Sequence, residues 1–565
     1  MFVSLLLALS IHWTGWNDGV FAQAKREHKF VLLDLQAVWC HWCHVMDEQT
    51  YADPNVIALM NARYIAVKVD QDSRPDLANR YEDYGWPATI VFNADGSEIV
   101  KRRGFIPPVE MASMLKAIID DPSPGPSVFP EPKIQFSNES LLSDALRKQL
   151  EQLHRDKYDT KYGGWGFTHK YLDAYSVEYA LARDDAENRR MARQTLDGER
   201  NLLDPAWGGV YQYSTGGVWS EPHYEKIMQM QAGNLRVAAQ AYALWGDPKD
   251  LATAQSIRRY LDRFLRSTDG AFYTSQDADL VDGEHSAGYF ALSDAARRAK
   301  GIPRIDEHIY ARESGWAAEA LTQLAMASGD RSALDEARAA IKWIYAHRRL
   351  PSGGFSHGAQ STTPFLGDNI AVARADLALY AATGQRLWLA RAQELAAFIE
   401  KTFRANPGYL TARPAGMMPP KYQRDENIEV ARFTNLLHHY DGDPKHLAMA
   451  RNAMRYLSAE LVAKDWPVGG VLLADYEMRN EPLHVTVVGA KRDAAAQALF
   501  QAAGRIPRSF KQVEWFDPAE GPLPNAKVAY PVLKKPAAFL CSANRCSRPA
   551  FTAAELQTLV ARLER

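Results

Sequence analysis

Cys40-His41-Trp42-Cys43-His44 packs two thiols and two imidazoles into five residues. Three chemistries use such a set. A C-x-x-C pair runs thiol–disulfide exchange, C-x-x-C-H is the string by which a c-type haem is attached, and Cys with His holds zinc. The residues upstream separate them. "VLLDLQAVWCHWC" puts Cys40 where an apolar strand hands over to a helix, whose amides favour a thiolate and make Cys40 the attacking sulfur. Cys43, one turn further, is placed to resolve a mixed disulfide. Haem attachment needs no such strand–thiol–helix setting. Cys40, Cys43 and His44 on one helical turn do not make a closed four-ligand zinc site. The expectation is thiol–disulfide exchange with no metal and no cofactor. The competing reading is a fold that has kept its thiols without using them, since only low-pKa, exposed thiols are active.

Other residues belong to the same assembly. Gly85-Trp86-Pro87 precedes the strand-like "ATIVF", where a proline in cis puts backbone polar groups against the thiols. Asp34, inside an apolar strand, is an expensive buried carboxyl unless it assists proton transfer at Cys43. A cationic His41 beside Cys40 stabilises the thiolate and makes the disulfide more oxidising. Taken together, the strand, W-C-x-x-C and the Trp86-Pro87 step before Ala88-Thr89 resemble thioredoxin, and more closely the thioredoxin-like domains of disulfide-reducing membrane proteins of bacteria, over about 90 residues. The resemblance implies that Cys40 attacks, Cys43 resolves and Pro87 shapes the substrate groove. The implied partner is a protein thiol or disulfide.

The chain has two more cysteines, Cys541 and Cys546 in "FLCSANRCSRP", at the end of a strand-like run. Their four-residue loop can close a disulfide if the Cα atoms come within bonding reach. The pair is either structural or a relay that Cys40 attacks.

A second group of reactive side chains lies in the middle of the chain. "WSEPHYEKIM" carries His223 and Glu225 just before a helix, and "YTSQDADL" carries Asp277 and Asp279, which share a face if extended. "GGFSHG" places His357 after a glycine turn and "FLGDN" places Asp368 at a helix start. Paired carboxylates suit glycosidic-bond hydrolysis and histidines suit proton transfer in sugar epimerisation, so a carbohydrate ligand is a second expectation. The structural reading of the same residues makes Asp368 an N-cap, Glu225–Lys226 solvated surface, and His223 a partner for a buried loop.

The elements that position these groups follow from the pattern. Residues 29–115 alternate short apolar runs with helical stretches, as an α/β domain does, with Asp95-Gly96 turning a hairpin. "DPSPGPSVFPEP", residues 121–132, sustains neither helix nor strand. From about 138 to 478 the chain reads as amphipathic helices punctuated by six glycine turns, "YGGWGF", "WGGVY", "DGAFY", "SGGF", "PGYL" and "VGGVLL". Six turns imply six helical hairpins; a single hairpin cannot bury its apolar face, and six close into a ring. The alternative is an open helical array. After about 480, "PLHVTVVGA" and "VAYPVLKKPAAFLC" read as strands and "AAELQTLVARL" as a final helix. The expected division is therefore a thioredoxin-like domain over 1–120, a proline-rich linker over 121–137, an all-α (α/α)6 toroid of the six-hairpin glycosidase type over 138–480, and a C-terminal region over 481–565 carrying the second cysteine pair.

Composition narrows the function classes. A length of 565 residues is too much for one ordinary core, and 47% hydrophobic with 24% charged residues is globular. A net charge of −2 with no Lys or Arg run argues against nucleic acid as a partner. The chain contains no stretch apolar and long enough for a transmembrane segment. "MFVSLLLALS" reads as the end of an export signal, which implies a periplasmic or exported protein, or as a buried N-terminal segment, which leaves the cytoplasm; "IHWTGWNDGVFAQAK" reads as an amphipathic helix.

The order of these parts, with "CHWCHVM", "VDQDSRPDL", "GWPATIVF", "PHYEKIM", "SQDADL" and "FLCSANRCSRP", resembles the spermatogenesis-associated thioredoxin-like family of bacteria and animals. That resemblance implies a toroid similar to those of N-acylglucosamine epimerases and six-hairpin glycosidases. This sequence departs from the family's pattern where an acidic-amide pair is expected and Gln231-Ala232 stands, and at "THKYL" and "DADL". Three functions follow in order: a thiol–disulfide oxidoreductase, a carbohydrate-active enzyme of epimerase or glycosidase type with an accessory redox domain, and a non-catalytic binding protein.

Overall fold

The computed structural model describes residues 10–129, 132–414, 416–525, 528–542 and 545–563. The apolar start read as an export signal lies, but for Ser10, outside the described residues.

The first body is built on a mixed sheet. β1 (Trp13–Thr14), β3 (Tyr64–Asp70) and β2 (Phe30–Gln36) run parallel, and β4 (Ala88–Phe92) and β5 (Glu98–Arg103) extend the sheet antiparallel, in the order β1-β3-β2-β4-β5. "VLLDL" is apolar on both sides because β2 is central and covered on both faces. Leu32 packs into a core with Met46, Met60 and Leu115, while Val31, Leu33 and Leu35 enter the opposite core with Phe21, Leu77 and Tyr81. The flanking helices are α1 (Gly19–Glu27), α2 (His41–Val45), α3 (Pro54–Arg63), α4 (Pro75–Tyr81) and α5 (Pro108–Asp120). This is a thioredoxin-like arrangement. The segment read as a helix from Ile11 is helical only from Gly19, because Trp13 and Thr14 find an edge of the sheet at Ala66 and Val67 and extend to pair with it.

The second body is a closed ring. Its inner helices are α7 (Ala174–Arg183), α9 (Met228–Trp245), α11 (Ala311–Ser328), α13 (Leu366–Thr383), α15 (Arg424–Asp441) and α17 (Gly469–Arg479), each packed on the next and α17 back on α7. The outer helices α8 (Ala186–Glu199), α10 (Pro248–Tyr260), α12 (Arg331–His347), α14 (Arg386–Phe403) and α16 (Pro444–Leu457) each cover the inner helix before them. The sixth outer helix is α6 (Asp144–Asp156), which comes first in the chain but packs on α17, the last inner helix. Asp475 of α17 accepts the Leu142 amide at 2.9 Å and Arg479 reaches the Leu142 carbonyl, so the ring is clasped where its two ends meet. The open array is therefore excluded. Inner α13 is buried on all sides over Leu366–Tyr380, whereas outer α12 buries one stripe, as position in the ring requires.

Three of the glycine turns share one cause: each follows an outer helix and is pinned by the amide side chain at the start of the next inner helix. Gln231 exchanges two hydrogen bonds with the Val210 backbone, Asn369 with Phe355, and Asn427 with Tyr409. At Gly354 φ is +67°, and a Cβ there would lie 2.2 Å from the Phe398 ring, so only glycine fits.

The third body has its own core. β6 (Leu483–Val488) pairs in parallel with β7 (Lys511–Phe516) through α18 (Ala494–Gly504), and antiparallel with β8 (Ala537–Ser542), which pairs with β9 (Arg545–Cys546). Helix α19 (Ala553–Leu563) completes it. "KQVEWF" forms the strand β7 that the sequence reading passed over, since charged Lys511 and Glu514 interrupt its apolar run. "VAYPVLKK", read as strand, is irregular around Pro531.

The two flanking bodies sit at opposite ends of the ring. The thioredoxin-like domain meets the N-terminal ends of the inner helices, where Asn79 donates to Glu426 at 3.2 Å. The C-terminal body meets the other ends, where Lys491 donates to the Gly384 carbonyl at 2.6 Å.

Candidate functional site

The strand β2 ends at Gln36 and a short turn delivers Cys40 as the cap of α2, with extended backbone. Its sulfur accepts the Cys43 amide at 3.2 Å, so an N–H points at the atom that would carry negative charge. Cys40 and Cys43 are joined as a disulfide. The Trp86–Pro87 peptide is cis, and Trp86 packs on the pair together with Trp39. Asp34 sits one strand turn behind, 1% exposed, with neither oxygen hydrogen-bonded and Lys68 Nζ 3.7 Å away. Burial pushes its carboxyl up to about 7, against the pull of Lys68.

The sulfurs are not on an open surface. Cys40 is 4% and Cys43 1% exposed. Ile227 of the ring lies against them, the Ala278 amide donates to the Trp39 carbonyl at 3.4 Å, and Gly283 lies so close to α2 that a Cβ on it would be 2.6 Å from Glu48 Oε2. The expectation of an exposed attacking thiol is corrected: Trp39, Trp86 and Ile227 bury the sulfurs, and a loop of the toroid, residues 277–286, packs on α2 beside them.

That loop explains several of the candidate ring residues. His41 Nδ1 lies 2.8 Å from Asp279 Oδ1 and 2.9 Å from Oδ2. His44 faces Asp279 at 3.2 Å through Nδ1, while its Nε2 donates to the Val38 carbonyl at 3.1 Å and lies 3.6 Å from Asp277. Rather than lying extended, Asp277 and Asp279 form a turn in which the Asp279 amide donates to Asp277 at 2.9 Å. The hydrogen bond to Asp279 raises the His41 pKa above its ordinary value. Burial works against charge on His44, but Asp279, Asp277 and Asp282 outweigh it and hold its pKa at about 9. Burial also lifts Asp277 and Glu225 to about 7 and drops His223 to about 4. His44, Asp277 and Asp279 bring donor atoms within 4.8 Å of one another, a composition that suits a divalent cation. Both His44 ring nitrogens already serve as N–H donors, so the ring acts as the cation and offers no lone pair to a metal.

His357 and Asp368 form a second contact of the same kind. His357 Nδ1 lies 2.9 Å from Asp368, and its Nε2 2.6 Å from the Asp72 carbonyl of the thioredoxin-like domain. Asp368 is the third residue of α13 rather than its cap, and also accepts the Arg312 amide at 2.9 Å. Glu225 and Lys226 are buried, not solvated surface; Lys226 pairs with Asp204 at 2.6 Å.

The ring's own funnel lies elsewhere. A cavity of about 350 Å³ opens between the N-terminal ends of the inner helices and the thioredoxin-like domain. None of His223, Glu225, Asp277, Asp279, His357 or Asp368 lines it. Asp277, Asp279, His357 and Asp368 are spent on holding the two domains together, while His223 stacks on Tyr213 of the ring with Glu225 4.0 Å away. The cavity's carboxyls are instead Glu313 and Glu426, third residues of α11 and α15 as Asp368 is of α13, with Glu429, Asp72, Glu82 and Asp425. The signal for the ring positions was the repeated acid-before-pinning-residue pair, Glu313-Ser314, Asp368-Asn369 and Glu426-Asn427. In α9 the equivalent pair is Met230-Gln231: the amide is kept and the acid lost, so the departure lies one residue before the Gln231-Ala232 identified from sequence. Lys170 of "THKYL" is a buried pin, bonded to Asp159 and to the Gly163 and Gly166 carbonyls.

Cys541 and Cys546 form a cross-strand disulfide between β8 and β9. They belong to the body at the far end of the ring. Inner helices such as α13 run 18 residues, or about 27 Å. Direct attack by Cys40 on this pair has no path.

Residues 3–119 match the family model Thioredox_DsbH, described as "Protein of unknown function, DUF255". Spermatogenesis-associated protein 20 of Mus musculus is 27% identical over 306 residues, which is 48% of this chain and 39% of that protein. Over that stretch the chain is similar to spermatogenesis-associated protein 20. The human form of spermatogenesis-associated protein 20 is 26% identical over the same share, so the match takes in well under half the length of these relatives. Thiol:disulfide interchange protein DsbD 2 of Pseudomonas aeruginosa is 37% identical over 89 residues, 15% of either chain. Among solved structures, a sugar epimerase from a ruminal bacterium covers 60% of this chain and 98% of its own, at 13% identity and a TM-score of 0.47. Among the described residues no helix is long and apolar enough to cross a membrane.

Proposed function

We propose that the chain is a thiol–disulfide oxidoreductase in which Cys40 is the exchanging sulfur and Cys43 the resolving one. The observation that carries this reading is the Cys43 amide aimed at Cys40 Sγ at the head of a helical segment, the arrangement that lowers a thiol's pKa. Asp34 supports it as a buried carboxyl without hydrogen-bond partners, able to take the Cys43 proton near pH 7. His41, whose pKa the hydrogen bond to Asp279 raises, adds a positive charge beside the thiolate when protonated. The Cys541–Cys546 disulfide, which lies outside the exchange site, favours an oxidising compartment, and so an exported protein.

Catalysed reduction of a small disulfide, 2-hydroxyethyl disulfide, by dithiothreitol tests the reading. Wild type is expected to accelerate it and Cys40→Ser to abolish the acceleration. Equal rates for the two would remove the assignment.

A second reading, a carbohydrate-active enzyme, rests on the carboxyls Glu313 and Glu426 and the ring of Trp316 in the funnel cavity. Release of reducing ends from oligosaccharides that Glu426→Gln abolishes would favour it over the first.

A further inference from the structure

The cavity and the disulfide are neighbours. Trp39, Trp86 and Ile227, the side chains packed on Cys40 and Cys43, also line the cavity wall. On the other side of the pair the toroid loop at Asp279–Gly283 lies where a polypeptide substrate would run. Neither sulfur lines the cavity itself, whose volume of about 350 Å³ fits a small molecule and not a protein segment; a molecule held there reaches the pair past Trp39 and Trp86.

The charge of that space is one-sided. Six carboxyls line it, Asp72, Glu82, Glu313, Asp425, Glu426 and Glu429, against two guanidiniums. Both guanidiniums are already committed: Arg312 donates two hydrogen bonds to Glu313 Oε1, at 2.7 and 2.9 Å, and Arg236 donates to Glu178 at 2.7 Å. Glu313 Oε2 is buried with no partner, and the residue is 2% exposed. A buried acceptor left in this state in an acid-rich cavity calls for a donor that the protein does not provide. Burial raises the pKa of Glu82 and Glu426 to about 7, so both carry charge above that pH.

We propose that the cavity admits a low-molecular-weight thiol carrying an ammonium group, and that this amino-thiol, not a polypeptide, exchanges with Cys40–Cys43. The proposal rests on the assignment of Cys40 as the exchanging sulfur. The thiolate of the first molecule attacks Cys40 Sγ and the Cys40–Cys43 bond breaks; Cys43 leaves as a thiolate and takes up a proton. A second molecule's thiolate attacks the sulfur of the first, releasing their mutual disulfide and the Cys40 thiolate, which is protonated in turn. Two thiols are oxidised to one disulfide, and the protein disulfide is reduced to two thiols. Glu313 and Glu426 hold the ammonium while the thiol end reaches past Trp86.

The test uses the full-length oxidised chain and three probes of similar size: cysteamine, 2-mercaptoethanol and 3-mercaptopropionate. Opening of Cys40–Cys43 is followed by alkylation and mass analysis, with rates referred to thiolate concentration. Cysteamine is expected to react at least about tenfold faster than 3-mercaptopropionate, with 2-mercaptoethanol between them. Glu313→Gln and Glu426→Gln are each expected to shrink that ratio below about threefold, with folding checked by thermal melting. Equal rates for the three probes, or a ratio unchanged in both variants, would overturn the amino-thiol assignment. Dithiothreitol separates the two levels of failure. If it opens the pair in wild type while the ratio is flat, exchange at Cys40 stands and the ligand class falls. If it too leaves the pair closed in the folded chain, both fall.

Discussion

His41 and Asp279 stand 238 positions apart in the chain and yet meet at 2.8 Å, with the imidazole of one domain lying against both carboxylate oxygens of the other. His44 beside it and His357–Asp72 complete a boundary held by imidazoles. A histidine whose folded pKa is raised contributes stability that is full below its unfolded value of about 6.5 and is lost as pH rises through the folded value. For His44 that window runs from about 6.5 to about 9. Asp34, Asp277 and Glu225, raised to about 7, act in the same direction between about pH 4 and 7, where the folded chain binds more protons than the unfolded one. Calorimetric melting should therefore show stability declining steadily from about pH 5 to pH 9. His44→Gln should flatten the alkaline part, removing about 2 kcal/mol of pH dependence.

Asp279→Asn removes the anion shared by His41 and His44. Leaving partly buried cations without their partner costs about 3 kcal/mol, so melting should drop by several degrees. The loop it anchors should lift from Cys40, and iodoacetamide labelling of the reduced chain should quicken about tenfold. An unchanged labelling rate would mean that the loop does not govern access.

Asp34→Asn replaces a buried ionisable group with a neutral one of the same shape. The ionisation near pH 7 should vanish from the pH profile of the exchange rate, and the rate at pH 7.5 should drop about tenfold or more. Urea denaturation at pH 8 should show the variant more stable by about 2 kcal/mol, since burial of the charge is no longer opposed.

Glu178 joins three inner helices: Arg236 donates to one oxygen at 2.7 Å and Arg432 to the other at 2.9 Å, and Arg432 also holds Glu477. The two arginines overcome burial and hold its pKa at about 2. Glu178→Gln should cost about 3–5 kcal/mol in chemical denaturation, with little dependence on salt, because the pair is screened from solvent.

Cys43→Ser with mild oxidation tests the separation of the two cysteine pairs. Peptide mapping should find no Cys40–Cys541 or Cys40–Cys546 adduct. The double variant Cys541→Ser, Cys546→Ser should keep the exchange rate within about twofold, at a stability cost of about 2–4 kcal/mol.

The elements were legible where a local pattern had one solution. The doubly apolar "VLLDL" had to be a central strand, and six glycine turns with helical stretches between them had to be hairpins. The thiol site was legible because its cap, its helix and its proline are all local features. The partners of the reactive side chains were not. Asp277 and Asp279 have the composition of a sugar site, and only the arrival of α2 on the same loop turns them into a clamp on His41 and His44. The cavity acids were hidden for the converse reason. Glu313 and Glu426 look like ordinary first-turn carboxylates of helices, which favour that place for the dipole alone. Only the register of the ring brings them together.

The clasp between Leu142 and Asp475 has a consequence for biosynthesis. A chain emerging from the ribosome carries α6 from the start, but its seat on α17 is made more than three hundred residues later. Until then the circle cannot shut. Truncated translation products therefore lose one edge of the barrel wall altogether, and should be caught by chaperones or proteases before they persist as partial rings.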